Sequence, residues 1–160
     1  MSESTDITEI RTAVRQLCAQ YGEDYWLELD RTRGYPTEFV SELTKSGFLT
    51  VLIPENYGGA GLGVYEASVI MEEVCRSGAH AGACHAQMYV MGSVLRHGSD
   101  AQKQKYLPAI AAGDLRLQSF GVTEPTTVTD TTSLKTTARR DGDDYVIKGQ
   151  KVWISLIEHS

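Results

Sequence analysis

The first two thirds of the chain repeat apolar residues at the spacing of an α-helix, in several separate stretches. The first stretch begins at Asp6, where Asp6 and Glu9 form a capping-box pattern that predicts the start of a helix. Residues 22–34 are charged and indicate a partly helical connection. Pro36 suits the first turn of the next helix because its missing N–H needs no partner there, and Gly47 suits the left-handed residue that ends it. The apolar positions are Ile7, Ile10, Val14, Leu17 and Tyr21 in the first stretch, and Phe39, Val40 and Leu43 in the next.

Three further helices follow. Residues 64–76 combine apolar and acidic positions at helical spacing, and residues 79–97 are dense in small residues with few charges. A helix that is apolar nearly all round, as over 79–97, is expected to be buried between other helices. The segment Ser99-Asp100-Ala101-Gln102 is another capping box. It predicts a helix that runs to about Leu107, where Pro108 kinks or ends it.

The residue composition and the hydrophobic pattern change near residue 115. Short stretches rich in Val, Ile, Thr and aromatic residues alternate with turn signals, which is typical of an antiparallel β meander. The sequence therefore predicts an α+β chain, with an all-α helical domain over residues 1–115 and an incomplete antiparallel β domain over residues 116–160. The predicted strands are at residues 115–122, 134–140, 145–147 and 151–155.

The composition is that of an acidic globular protein. The 160 residues include 15 Lys and Arg against 21 Asp and Glu, which gives a formal charge of −6, and 41% are hydrophobic. An acidic chain without a basic cluster argues against nucleic acid as the main partner. No apolar run is long enough for a membrane span, and the polar start is unlike a signal peptide. The odd count of three cysteines is expected of a cytoplasmic protein.

Three features carry candidate chemistry but have simpler explanations. The glycine-rich loop at residues 57–63 lacks the Gly-Lys-Ser/Thr ending of a phosphate loop, so a flexible connection is favoured over a nucleotide-binding domain. His80 and Cys84 have the spacing of metal ligands on a helix, but no third and fourth ligand follows, and no metal site is predicted. The adjacent Glu72 and Glu73 are interpreted as a solvated helix edge rather than an acid/base pair.

Two segments of the β part have the residue types that bind a flat heteroaromatic ligand. The segment Phe120-Gly121-Val122-Thr123-Glu124-Pro125 places an aromatic ring and a hydroxyl just before a proline-stiffened turn. The segment Trp153-Ile154-Ser155 repeats this arrangement, because residues 153 and 155 share one face of a strand. Periodicity alone favours ordinary sheet packing for both segments.

Five motifs in order make the sequence resemble the acyl-CoA dehydrogenase family. The likeness covers nearly the whole chain, and the order of the motifs is more specific than any one of them. The motifs are Gly47-Phe48, Ile53-Pro54-Glu55-Asn56-Tyr57-Gly58-Gly59, Gln102-Lys103-Gln104-Lys105-Tyr106-Leu107-Pro108, Phe120-Gly121-Val122-Thr123-Glu124-Pro125 and Gly149-Gln150-Lys151-Val152-Trp153-Ile154-Ser155.

The resemblance implies an architecture and an activity. The chain matches the family's N-terminal helical domain and the start of its middle β domain, without the C-terminal helical bundle. The resemblance implies a flavoprotein oxidoreductase of fatty acid metabolism that binds FAD and dehydrogenates an acyl-CoA substrate at its α and β carbons. Hydride passes to flavin N5, and the electrons pass to an acceptor of the electron-transfer-flavoprotein type. Family members form homo-oligomers, and their catalytic base lies in the C-terminal bundle, so no residue here is assigned that role.

The family pattern carries over to seven residues of this chain. Thr129 stands where the family has a serine that contacts the acyl-CoA. The other six would contact the flavin through backbone groups, through hydroxyls and through an indole packed on the isoalloxazine. These cofactor-binding residues are Phe120, Val122, Thr123, Trp153, Ile154 and Ser155.

The sequence departs from the family pattern in the turn after Pro125. Val128 replaces a glycine, and a β-branched residue there is strained by about 1–3 kcal/mol if its φ is positive. Lys148 stands where family members usually carry Asn, which tolerates a left-handed backbone better. The altered turn and the missing bundle suggest an alternative function. In it, the chain is a truncated or divergent non-catalytic paralogue that acts as an interaction module with a longer partner through exposed apolar surface.

Overall fold

The computed structural model of the chain describes residues 7–160, and Asp6 of the first predicted capping box lies outside this range. Six α-helices are followed by a two-stranded antiparallel sheet within the described residues, in agreement with the predicted α+β class. None of the helices described is long and apolar enough to cross a bilayer. The helices are α1 (Ile7–Cys18), α2 (Glu23–Thr32), α3 (Thr37–Lys45), α4 (Val64–Arg76), α5 (Ala81–His97) and α6 (Asp100–Ala112).

Two apolar cores hold the helices together. The larger core is shared by α1, α3, α4 and α5, and the predicted apolar faces of α1 and α3 point into it. The smaller core joins α5 and α6 to the segment that precedes the glycine-rich loop. Fully buried side chains include Val14, Phe39, Leu43 and Val74 in the larger core, and Ile53, Met91, Leu107 and Ile110 in the smaller one.

Several helix ends carry the signals that the sequence predicts. At the start of α6 the Gln102 N–H donates to the Ser99 hydroxyl at 3.2 Å, and the Ser99 N–H donates to the Gln102 side chain at 2.8 Å. This reciprocal pair satisfies backbone donors that the first helical turn leaves free. Beyond the ends of α3 and α6, Gly47 and Gly113 adopt left-handed backbones with φ of 81° and 84°.

Helix α6 continues through Pro108 to Ala112, so the predicted end near Leu107 is wrong. A proline inside a helix removes one backbone hydrogen bond and costs about 3 kcal/mol. Leu107 and Ile110, which flank Pro108, are fully buried against Met91 in the smaller core. Burial of these two side chains offsets the cost, and the helix therefore extends beyond the proline.

The glycine-rich loop at residues 57–63 folds back on the segment before it. The Gly61 N–H donates to the Ile53 carbonyl at 2.8 Å, and the Gly58 N–H donates to the Glu55 carbonyl at 2.9 Å. Gly59 packs so closely on Ile53 that a Cβ on this glycine would lie 2.1 Å from the Ile53 carbonyl oxygen. Loop N–H groups thus bond within the chain, which supports a structural connection rather than a phosphate cradle.

The interpretation of Glu73 as part of a solvated edge is wrong. Its side chain is buried between α4 and α1, where Arg15 Nε and Arg11 Nη1 each donate to its carboxylate at 2.6 Å. Glu72 stays exposed and binds Arg11 from outside at 2.6 Å. Hydrogen bonds from Arg15, with those from Arg11, lower the pKa of Glu73 to about 2. The helical spacing of the α1 arginines is the sequence signal for this pairing.

The β part forms fewer strands than predicted. Strand β1 (Thr137–Asp141) pairs with β2 (Asp144–Lys148) in a hairpin whose turn contains Gly142 at φ 64°. The predicted strands at 115–122 and 151–155 are wrong, since Trp153 at φ 62° interrupts the second of them. A nucleotide-binding domain would need a parallel sheet, and the sheet described is antiparallel.

Replacement of Gly59 by alanine is expected to destabilise the fold by about 1–3 kcal/mol, because the added Cβ collides with the Ile53 backbone. Gly92→Ala is the matched control. It lies within α5 with no atom within 4 Å of its would-be Cβ, and it should gain about 0.5–1 kcal/mol of stability. Urea unfolding followed by circular dichroism measures both, and equal midpoints for the two variants would contradict the close packing.

Acid is expected to weaken the contact between α1 and α4 through Glu73. The folded pKa of Glu73, about 2, lies below its ordinary value of 4.5. Its contribution to stability is therefore present above about pH 4.5 and is lost as the pH falls towards 2. Glu73→Gln should lower the urea midpoint at neutral pH and flatten its decline in acid. Glu72→Gln, which removes only the exposed contact, should change both far less.

Candidate functional site

The two segments predicted to bind a flat ligand lie side by side. The Val152 N–H donates to the Thr123 carbonyl at 3.0 Å. The Ser119 hydroxyl donates to the Ser155 carbonyl at 3.3 Å, although these residues are 36 positions apart in the chain. Thr123 and the Trp153–Ser155 segment are thus brought into one neighbourhood without the regular ladder of a sheet.

The Glu124 carboxylate joins these two segments to the start of the hairpin. It accepts hydrogen bonds from the N–H groups of Lys135 at 2.6 Å and Thr136 at 2.9 Å, and from Lys151 Nζ at 2.9 Å. The residue is only 4% exposed, so these donors replace the water that a carboxylate otherwise requires. Hydrogen bonds from Thr136, from the Lys135 N–H and from Lys151 lower the pKa of Glu124 to about 2.

Lys151 donates to two acceptors at once. Besides Glu124, its Nζ donates to the Val122 carbonyl at 3.0 Å. The ammonium therefore lies between the two segments, with the Val152–Thr123 backbone bond next to it. Glu124 and Lys151 lie within two of the family motifs, but the sequence predicts no role for either side chain. A charged pair across segments 27 residues apart leaves no periodic signal in the sequence.

The turn after Glu124 is held by its own hydrogen bonds. The Glu124 N–H donates to the Thr127 hydroxyl at 3.2 Å, and the Asp130 N–H donates to the Thr127 carbonyl at 2.8 Å. Val128 adopts a left-handed backbone with φ 45°. This conformation is sterically costly for a β-branched residue but not for the glycine of the family pattern. Thr129 is exposed on this turn.

A buried amide joins the β part to the helices. Gln118 is fully buried, and its side chain accepts a hydrogen bond from the Tyr35 hydroxyl at 2.7 Å. The same side chain donates to the Ala83 carbonyl in the first turn of α5 at 3.2 Å. Two residues on, Phe120 packs edge-on against Tyr89 of α5, with ring centroids 5.7 Å apart. The segment that carries Phe120 and Thr123 is therefore fixed against α5.

The predicted site residues differ in exposure. Trp153 is 88% exposed and Phe120 is 50% exposed, so both rings offer apolar surface to solvent. Val122, Thr123 and Ile154 are half-buried, and Ser155 is exposed. A cavity of about 430 Å³ lies next to the site, between the turn after Glu124 and the base of the hairpin. It is lined by residues 124–126, 135–137 and 148–150, and none of the seven predicted residues is among these.

Cys84, the candidate ligand four residues after His80, is a core residue. Burial raises the pKa of the Cys84 thiol to about 12, so this residue is held as a neutral thiol in the larger core. His80 precedes α5. Within residues 7–160 no three His, Cys, Asp or Glu side chains cluster to hold a metal ion. Lys148 is the last residue of β2, and its φ is not positive. Lysine in place of the family's usual Asn therefore causes no backbone strain there.

Val128→Gly is expected to stabilise the chain by about 1 kcal/mol, because glycine adopts a positive φ without the steric cost that valine bears. Val146→Gly is the matched control. This valine is also exposed but lies in β2 with an extended backbone, so its loss should cost about 1 kcal/mol. Thermal unfolding of both variants checks the signs, and a fall in Tm for Val128→Gly would show that its backbone carries no strain.

Both parts of the chain are similar to domains of known proteins. The N-terminal domain of acyl-CoA dehydrogenases matches residues 4–114, and their middle domain matches residues 119–160. Acyl-CoA dehydrogenase FadE12 of Mycobacterium tuberculosis is 40% identical over 159 residues, which is 99% of this chain and 41% of the relative. The chain thus spans about two fifths of the length of this relative.

Two solved structures share the fold. One is a glutaryl-coenzyme A dehydrogenase in complex with glutaryl-CoA, with a TM-score of 0.82, 30% identity, and coverage of 96% of this chain and 40% of that one. The other is an acyl-CoA dehydrogenase from Bacillus anthracis complexed with FAD, with a TM-score of 0.79, 28% identity, and coverage of 96% and 27%. Since both domain matches lie in order along nearly the whole sequence, the chain belongs to the acyl-CoA dehydrogenase family.

Proposed function

We propose that this chain provides one wall of the FAD site of an enzyme that dehydrogenates acyl-CoA thioesters. The observation that carries the proposal is the pairing of the Thr123 carbonyl with the Val152 N–H, next to the exposed indole of Trp153. An apolar ring face beside hydroxyls and backbone polar groups suits a flat ring system with a hydrogen-bonding edge. The named FAD complex of a family member supports the choice of this ligand.

Each predicted residue has a role in this proposal. Trp153 and Ile154 pack beside the ring system, while backbone groups of Phe120 and Val122 contact its edge. The hydroxyls of Thr123 and Ser155 offer hydrogen bonds that fix its orientation. When bound, FAD supplies the redox chemistry, and the chain supplies binding and orientation.

The substrate proposal rests on the family. Thr129, exposed on the turn after Glu124, would contact the acyl-CoA through its hydroxyl. The glutaryl-CoA complex of a family member supports a CoA thioester as the substrate class. The base that removes the α proton is proposed to lie in the C-terminal bundle of the family architecture, outside the two domains matched here. The electron acceptor is proposed to be of the electron-transfer-flavoprotein type.

The cellular setting follows from the same proposal. We propose a homo-oligomer that acts in fatty acid metabolism in the cytoplasm. Cys18, Cys75 and Cys84 are free thiols, which is compatible with a reducing compartment.

The exposed hairpin favours a second candidate function, that of a non-catalytic module that pairs with a longer partner. Tyr145, Val146 and Ile147 of β2 expose 64%, 47% and 70% of their surfaces, and Ile157 exposes 65%. Tyr145 and Ile147 share one face of β2, and exposed apolar surface of this kind is typical of an interaction site. The two candidates differ in their ligand, because such a module does not require FAD.

Titration of the purified chain with FAD, followed by flavin fluorescence and absorbance, is expected to give saturable binding. Trp153→Ala should weaken the affinity by about tenfold, since an aromatic contact contributes on the order of 1 kcal/mol beyond its buried area. Tyr145→Ala, which removes another exposed ring from the hairpin, is the control and should bind as the wild type does. No saturation by the wild type would reject the FAD site and favour the non-catalytic module.

A further inference from the structure

The ion pair between Glu124 and Lys151, here called the Glu124–Lys151 clamp, lies between the two segments of the proposed FAD site. Glu124 immediately follows Thr123, and Trp153 is two residues beyond Lys151. Lys151 Nζ binds both the Val122 carbonyl and the Glu124 carboxylate, at 3.0 and 2.9 Å. The clamp therefore fixes the backbone on each side immediately next to the residues that would contact the ligand.

Trp153 depends on its backbone for its position. Its side chain is 88% exposed, so little packing orients it, and its φ of 62° is one that a bulky residue adopts only when its surroundings impose it. The described constraints nearest this backbone are the Val152–Thr123 hydrogen bond, the Lys151 contacts and the bond from the Ser119 hydroxyl to the Ser155 carbonyl. Loss of the clamp would remove the side-chain constraint on the N-terminal side of the indole.

The clamp is built for positioning rather than for direct ligand contact. Glu124 is 4% exposed and its carboxylate accepts two further backbone hydrogen bonds, so its oxygens are used mainly within the chain. The Lys151 side chain is 27% exposed, and its ammonium already has two acceptors. Two of its three N–H donors are thus used within the chain.

We propose that the Glu124–Lys151 clamp is a positioning pair that sets the spacing between the Val122–Thr123 backbone and the Trp153 indole, and thereby the affinity for FAD. This inference rests on the proposed function. Neither residue is a catalytic residue in it, because both act through the groups they hold in place.

Nuclear magnetic resonance of the chain tests the clamp without any ligand. The sequence has two tryptophans, so two indole N–H signals are expected. Trp26 is the internal reference, because its indole donates to the Tyr21 carbonyl at 3.0 Å within the helical part. Lys151→Met, which keeps the aliphatic stem, should shift and broaden the Trp153 signal and leave the Trp26 signal in place. Movement of both signals would indicate general loosening and would overturn the inference.

Titration with FAD supplies the second measurement. Lys151→Met and Glu124→Gln should each weaken binding by roughly tenfold, the effect expected for loss of one charge-assisted hydrogen bond. Lys151→Arg keeps a cation with several donors and should recover part of the affinity. Arg139→Gln is the matched control, since it removes an exposed ion pair to Asp141, at 3.7 Å, from the same β part. It should leave the affinity unchanged.

The outcomes separate the two proposals. Wild-type affinity in both clamp variants would overturn the positioning role and leave the FAD site intact. Absence of saturable binding by the wild type would overturn the proposed function itself. Should Glu124→Gln fail to fold, as urea unfolding would reveal, Lys151→Met still decides, because Glu124 then keeps its two backbone donors.

Discussion

A buried carboxylate must find donors for its oxygens, and the β part of this protein is organised around that requirement at Glu124. The strands β1 and β2 are exposed along their whole length, so they have no core of their own to hold them in place. The hydrogen bonds of Glu124 connect the start of the hairpin, the turn that follows Pro125 and the segment around Lys151. Hydrogen bonds to a buried carboxylate thus hold the β part together, whereas apolar burial holds the helices together.

The helical part depends mainly on apolar packing, with few buried charges. Its two cores contain most of the fully buried side chains, and their packing is strong enough to carry α6 through a proline. The buried Glu73, bound by Arg11 and Arg15, adds a polar contact between α1 and α4 at the edge of the larger core. Charge there fixes the register of two helices that apolar packing already holds together. The proposed site lies where these two kinds of structure meet.

The sequence predicts local features better than contacts over long distances. Helix α4 has the predicted bounds, and Gly47 has the predicted backbone, because these depend on residues within one turn. The end of α6 could not be predicted, since burial of Leu107 and Ile110 outweighs the local effect of Pro108. The strands predicted at 115–122 and 151–155 fail for a similar reason. Composition favours them, but apart from the bond of the Val152 N–H to the Thr123 carbonyl, their backbones bond to side chains such as Ser160 and Lys151.

The candidate site also has predictable and unpredictable features. Motif order along the chain was enough to identify the family. The two segments proposed to bind the cofactor lie side by side in the structure. The ion pair between them was not predictable. Glu124 and Lys151 are common residue types, and their role depends on a contact between residues that are distant in the sequence. Val128 is intermediate. The family pattern has a glycine at this position, so strain was expected only on the condition of a positive φ, and the structure has φ 45° there.

The Gln118 amide limits how the protein can move. Both ends of this side chain are used inside the fold, one by the Tyr35 hydroxyl and the other by the Ala83 carbonyl. Any rotation of the β part about its junction with α5 would strand a fully buried amide without water or protein to replace these bonds. The junction between the β part and α5 is therefore expected to be rigid and not to act as a hinge.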